Sequence, residues 1–110
     1  MGKLIDAAVQ HFSSLEVRAI KVPEWTEETL YSKNLTLADM SKLASRAQED
    51  TWDYMCYAII FGLVDGAGEC VFDIGDKAKL KNHTSRAVTE RIAGEILAAQ
   101  TETAEDRAKN

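Results

Sequence analysis

Asp50-Thr51-Trp52-Asp53-Tyr54-Met55-Cys56-Tyr57-Ala58-Ile59-Ile60-Phe61-Gly62-Leu63-Val64 is the stretch that decides the fold, because it has helical spacing yet is apolar on almost every side. Trp52, Met55, Cys56, Ile59, Ile60 and Leu63 share one face, while Tyr54, Tyr57, Ala58, Phe61 and Val64 fill the others. A helix at the surface keeps a polar face; one without such a face is enclosed by its own fold or by a partner. The spacing therefore predicts a central helix over about 50–64. Its uncharged run, Tyr54 to Val64, is 11 residues, whereas a membrane span takes about 20.

Upstream of it, Leu37, Met40, Leu43, Ala44 and Ala47 form one apolar stripe, which predicts a helix over 37–48. Thr36 with Asp39 three residues later has the form of a capping box, a hydroxyl and a carboxylate placed to satisfy the first free amides. Further upstream, Arg18, Ile20 and Val22 alternate with Val17, Ala19 and Lys21, which reads as a strand over 16–22. Val22-Pro23-Glu24-Trp25 then holds the chain's only proline. Proline lacks a donor and extends the residue before it, so the strand ends or turns there, and Trp25 is placed to close a small core. Thr29 to Asn34 reads as the returning strand of a β-hairpin. Leu4, Ile5, Ala8, Val9 and Phe12 make residues 3–13 an amphipathic helix.

Downstream, Asp65-Gly66-Ala67-Gly68 is a turn signal suited to positive φ. Asp76 starts a single-turn helix carrying Leu80, and Asn82 to Ser85 offer caps for a last helix over 86–100. That helix has Val88, Ile92, Ile96 and Ala99 on its core side. Together the pieces predict an α+β chain, mainly α-helical, in which a small N-terminal β-hairpin packs against a bundle of about four helices. Residues 1–100 form a single domain in this reading, and 101–110, which lack large apolar groups, form a polar tail that frays.

Composition narrows the function. Thirteen basic against eighteen acidic residues give a net charge of −5, which disfavours a nucleic-acid backbone as partner. The two cysteines, Cys56 and Cys70, are too few for a disulfide framework, and no signal-peptide pattern opens the chain, so a soluble intracellular protein with free thiols is expected. Charge is uneven: Glu49 to Asp76 carries seven acids and no lysine or arginine, and Lys77 to Arg91 carries five bases against Glu90. The acidic middle of one copy meeting the basic stretch of the next would give a head-to-tail assembly.

No constellation for catalysis emerges. His11 and His83 are isolated, and Cys56, Cys70 and His83 lack the close ligand pairs of a zinc site. Glu49 and Asp53 lie one turn apart as a carboxylate pair with no histidine or third carboxylate beside them. The Asp65–Asp73 stretch lacks the alternating oxygens of a calcium loop and the lysine-serine ending of a P-loop. Expected catalytic, metal and cofactor residues are accordingly none, and an enzyme is disfavoured.

Taken in order, the pieces resemble the tail assembly chaperones of long-tailed bacteriophages along nearly the whole chain. The residues that carry the resemblance are Val22-Pro23-Glu24-Trp25 after the first strand and Leu35-Thr36 at a helix start. After the apolar helix come Asp65-Gly66 with Phe72, then Asp76 with Leu80, and finally Val88 to Ile96. The cluster Lys77, Lys79, Lys81 and the threonine-glutamate run after Trp25 depart from that pattern.

The resemblance implies a non-enzymatic protein of the infected host's cytoplasm. It would coat the tape-measure protein, recruit tail-tube subunits, self-associate, and be absent from the mature virion. It also implies a possible frameshift-extended form of the chain, with Lys109-Asn110 as the place to look. Neither nucleic acid nor membrane is a partner. Trp52, Tyr57, Phe61, Ile92 and Ile96 are the expected self-association and partner contacts, and Val22, Pro23, Glu24 and Trp25 a structural motif. The alternative is a small tail-completion or head-tail joining protein that stays in the virion.

Overall fold

The computed structural model describes residues 2–101. Helix α1 (Gly2–Ser14) leads to strands β1 (Arg18–Lys21) and β2 (Thr29–Ser32), followed by α2 (Leu37–Ala47) and α3 (Thr51–Gly62). Strand β3 (Leu63–Val64), a 3-10 turn (Ile74–Asp76), α4 (Lys77–His83) and α5 (Arg86–Ala99) complete the order. The chain is α+β and mainly helical, with a small antiparallel sheet ordered β1-β2-β3. Of the polar tail expected over 101–110, only Thr101 falls within the described residues.

The apolar stretch is the centre of the fold: α3 packs against α2, α4 and α5. Cys56, Ala58, Ile59, Ile60 and Gly62 are buried along it. Around it the core gathers Ile20, Val22 and Leu30 from the hairpin, Leu80 from α4, and Val88, Ile92, Ala93 and Ile96 from α5. Each such large aliphatic side chain contributes about 1.5–3 kcal/mol relative to an exposed one. On the other side, Leu43 and Ala47 of α2 are buried against α3. The predicted α2 stripe is narrower than the sequence suggests, since Leu37 is 90% exposed at the first turn.

Helix α3 ends earlier than expected, at Gly62, and the chain passes without a loop into β3. Tyr31 pairs with Val64 and Ser32 with Leu63, so the hairpin gains a third strand from what the sequence reads as helix. Gly62 permits this join. Its Cα lies so close to α5 that an added Cβ would stand 2.6 Å from Ile96 Cγ2. The Gly62 carbonyl also accepts from Lys33 N–H at 2.7 Å.

Most of the predicted punctuation is present; Asp76 differs, since it makes no side-chain cap bond to α4, and that helix has seven residues instead of a single turn. Thr36 and Asp39 form the capping box: Asp39 N–H donates to Thr36 Oγ1 at 3.1 Å, and Thr36 N–H to Asp39 Oδ2 at 3.0 Å. That amide holds the Asp39 carboxyl below its ordinary pKa. Asp50 caps α3, accepting from Trp52 and Asp53 N–H at 2.9 and 3.0 Å. In the Asp65–Gly68 turn, Asp65 Oδ1 accepts from Ala67 and Glu69 N–H at 2.8 and 3.0 Å, and Gly68 takes φ 83°. Asp76 accepts from Asp73 N–H at 2.9 Å, thereby closing the 3-10 turn.

Helix α1 departs from the other four. It is amphipathic as predicted, yet none of its residues is buried: Leu4 is 82% and Ile5 61% exposed. Helices α2 to α5 make the bundle, and α1 stands outside the core.

Candidate functional site

The expected contact residues separate into three environments. Ile92 and Ile96 are both 0% exposed, held in this chain's own core between α3 and the hairpin, and therefore present no surface to another molecule in this fold. Their period-of-four spacing marks a core stripe, and the same spacing would mark an interface. Trp52 lies at the start of α3, half exposed, with the Arg86 guanidinium 5.8 Å from its ring centroid. Tyr57 and Phe61, one turn apart on α3, are half-buried and stacked at 6.2 Å with 22° between their planes.

Tyr57 forms one wall of a groove of about 600 Å³ whose other residues, Ser41, Lys42, Ser45, Arg46 and Gln48, come from α2 and its C-cap. The arrangement follows from the local sequence. Leu43 and Ala47 turn one side of α2 onto α3, which leaves the intervening polar residues along the outer edge of the joint.

The Val22–Trp25 box sits at the hairpin's loop end. Val22 is fully buried, and its carbonyl accepts from both Trp25 and Thr26 N–H, at 2.9 and 3.0 Å, so that Pro23 occupies the first corner of a tight turn. Trp25 is half-buried and meets Phe72 edge-on at 6.0 Å and 84°. With Leu80, Asp76, Lys79 and Thr84 these rings line a mostly apolar hollow of about 460 Å³. Glu24 points away from the core and pairs with Arg91 of α5, whose guanidinium pulls the Glu24 pKa down from 4.5 to about 2.

The charged stretches meet in part within one chain, which takes Lys77, Lys81 and Asp53 out of the head-to-tail charge pairing expected from the sequence. Lys81 Nζ stands 2.7 Å and Lys77 Nζ 3.0 Å from Asp53 Oδ1, tying α4 to the first turn of α3. These ammonium groups, Lys81 first, hold the Asp53 carboxyl below its ordinary pKa, and Asp53 in turn raises that of Lys81. Asp53 is thus neutralised by lysines and does not form a carboxylate pair with Glu49. The Cys56 thiol, buried on α3, is pushed up chiefly by burial, while Cys70 is exposed; both are free.

Among the described residues, no group of three or more histidine, cysteine, aspartate or glutamate side chains could hold a metal ion. No described helix is long and apolar enough to cross a membrane. The exposed stripe of Leu4, Ile5, Val9 and Phe12 on α1 was not among the expected contact residues. Its helical period is plain in the sequence, but period alone does not tell a covered face from a bare one.

No family model and no curated protein matches the sequence. The fold is similar to the solved structure of the bacteriophage HK97 tail assembly chaperone, with a TM-score of 0.55. That likeness covers 83% of this chain and 95% of the other at 12% identity. What is shared at that level is the architecture.

Proposed function

We propose that the protein is a non-enzymatic tail assembly chaperone of a long-tailed bacteriophage. In this role it coats the tape-measure protein in the host cytoplasm, recruits tail-tube subunits and leaves before the virion matures. The observation that carries the reading is the fold likeness to a tail assembly chaperone over 83% of the chain. The ordered series from Val22 to Ile96, read from sequence alone, points the same way. Physically, a long helical partner with apolar faces needs many copies of a small cover, and recognition of that kind uses apolar anchors in a groove. The half-exposed aromatic anchors are the Tyr57–Phe61 stack beside α2 and, on another side of α3, Trp52. Ile92 and Ile96 support the fold beneath them. Copies of the chain associate with one another in the same role, and a frameshift-extended form would join them.

Co-expression with the tape-measure protein of the same phage tests the reading. Co-purification with the wild-type chain is expected, together with its loss in Tyr57→Asp, a variant that remains folded but is less stable because Tyr57 packs against the core. Failure of the wild-type pair to co-purify would sink the reading. A tail-completion or head-tail joining protein would instead persist in the particle, so abundant copies in purified virions favour that alternative. Self-association is read by light scattering: a monomer at every concentration in low salt would contradict it.

A further inference from the structure

We propose that the groove between α2 and α3 seats an acidic helix of the partner protein, one with carboxylates a turn apart beside an apolar stripe. This deepens the partner-binding role proposed above and rests on it. The chain as a whole carries −5, yet this groove is lined by Lys42 and Arg46 with no acid among its residues. Four of the other bases are spent internally: Lys77 and Lys81 on Asp53, Arg86 on Glu90, Arg91 on Glu24. Among the described residues, Lys42 and Arg46 are in no ion pair. Asp39, one turn before Lys42, accepts from the Thr36 amide and does not line the groove, although its charge also acts on Lys42.

Spacing defines the partner further. Lys42 and Arg46 are four residues apart on one helix, hence about 6 Å apart along its axis. Ser41 and Ser45 repeat that step and offer hydroxyl donors beside each cation. A second helix laid along the groove matches this with carboxylates at i and i+4 (the same rise on both sides). Its neighbouring apolar residues would meet the Tyr57 ring, which Phe61 backs from the next turn. Arginine binds a carboxylate in a two-pronged fashion and lysine as a point charge, so the Arg46 end fixes orientation and the Lys42 end adds attraction. A helix flanked by lysine is rejected by the same charges.

The full-length chain is titrated by calorimetry with two synthetic helical peptides of about 15 residues that share a leucine stripe and differ only in a glutamate or a lysine flank. The glutamate peptide is expected to bind at least ~10-fold more tightly, with affinity falling as salt rises. Lys42→Glu with Arg46→Glu should reverse the preference, and Lys42→Gln with Arg46→Gln should abolish it; both pairs change exposed side chains. Equal binding of the two peptides, no binding of either, or an unchanged preference in the reversed variant would overturn the proposal. So would a single-stranded oligonucleotide that binds as tightly as the glutamate peptide. These readouts concern the groove alone. Failure of the tape-measure pair to co-purify bears on the chaperone reading, and peptide preference does not.

Discussion

Arg91 grips Glu24 with both arms of its guanidinium: Nη1 donates to Oε2 at 2.8 Å and Nη2 to Oε1 at 2.9 Å. The two residues are 67 apart in sequence, and the bond fastens the turn of the β1–β2 hairpin to α5. It is the tertiary reason for a glutamate within the Val22–Trp25 box, whose other members turn the chain and fill the core.

That pairing gives a pH signature. The folded carboxyl titrates at about 2 against an ordinary 4.5, so the native state favours the ionised form. Its stabilising contribution is complete above about 4.5 and is lost as pH falls through 2. Glu24→Gln should lower the thermal midpoint at neutral pH, and its deficit against wild type should shrink steadily on acidification through that window. High salt should reduce the deficit too, because both side chains are solvated. A deficit constant from neutral to acid would mean that the amide fails for reasons of packing.

Gly62 is a tight joint in the core. A Cβ there would stand 2.6 Å from Ile96 Cγ2, closer than side-chain carbons approach, so α3 and α5 must separate to admit it. Gly62→Ala is expected to cost about 1–3 kcal/mol in urea unfolding, despite alanine's better helix propensity. Ile96→Ala removes the clashing methyl and itself costs about 2–5 kcal/mol through the cavity it leaves. In that background Gly62→Ala should add little. Additive losses would show that the glycine is needed for the backbone turn into β3 instead of for the contact.

Two residues between α2 and α3 stand in the left-handed region, Gln48 at φ 47° and Glu49 at φ 70°. Gln48 closes α2 by donating its N–H to Ala44 O at 3.2 Å, and Asp50 then begins α3. Side chains disfavour that region by roughly 1–2 kcal/mol, part of which glycine returns as extra disorder in the unfolded chain. Glu49→Gly should therefore raise stability by about 0.5–1 kcal/mol without changing the denaturant slope. Glu49→Val, β-branched and worse suited to positive φ, should lower it.

Much of this architecture is legible in the residues, and where legibility fails the cause is physical. The all-round apolar run at 54–64 fixed α3 at the centre, and the Thr36/Asp39 box was visible as spacing and is present as two bonds. Strand β3 was not visible, because two residues at the end of an apolar helix show no period of their own. Only the glycine before them hinted at a stop. The candidate contacts divide in the same way. Ile96 repeats at four residues whether its face meets its own core or another chain, while the basic edge at Lys42 and Arg46 is distinctive only once the groove they line is seen to hold no acid.

Gln100 is the last side chain that binds the sheet to α5, and it uses every polar group it has. Its Oε1 accepts from Leu35 N–H at 2.9 Å, and its Nε2 faces Ile96 O at 2.9 Å, Lys33 O at 3.1 Å and the buried Ser32 Oγ at 3.4 Å. Only an amide serves both roles, since the acceptors on one side require a donor. Gln100→Glu keeps the shape and the bond from Leu35, but it turns a carboxylate oxygen towards two carbonyls. The variant should lose about 1–3 kcal/mol near neutral pH. Unfavourable oxygens would raise the new carboxyl's folded pKa above its unfolded value, so the loss should be smallest in acid and grow as pH rises through that pKa. Gln100→Leu, which leaves the same carbonyls and also the Leu35 N–H unpaired but never ionises, should show a loss at least as large without the pH dependence. Identical pH profiles for the two variants would place the Gln100 contribution in packing alone.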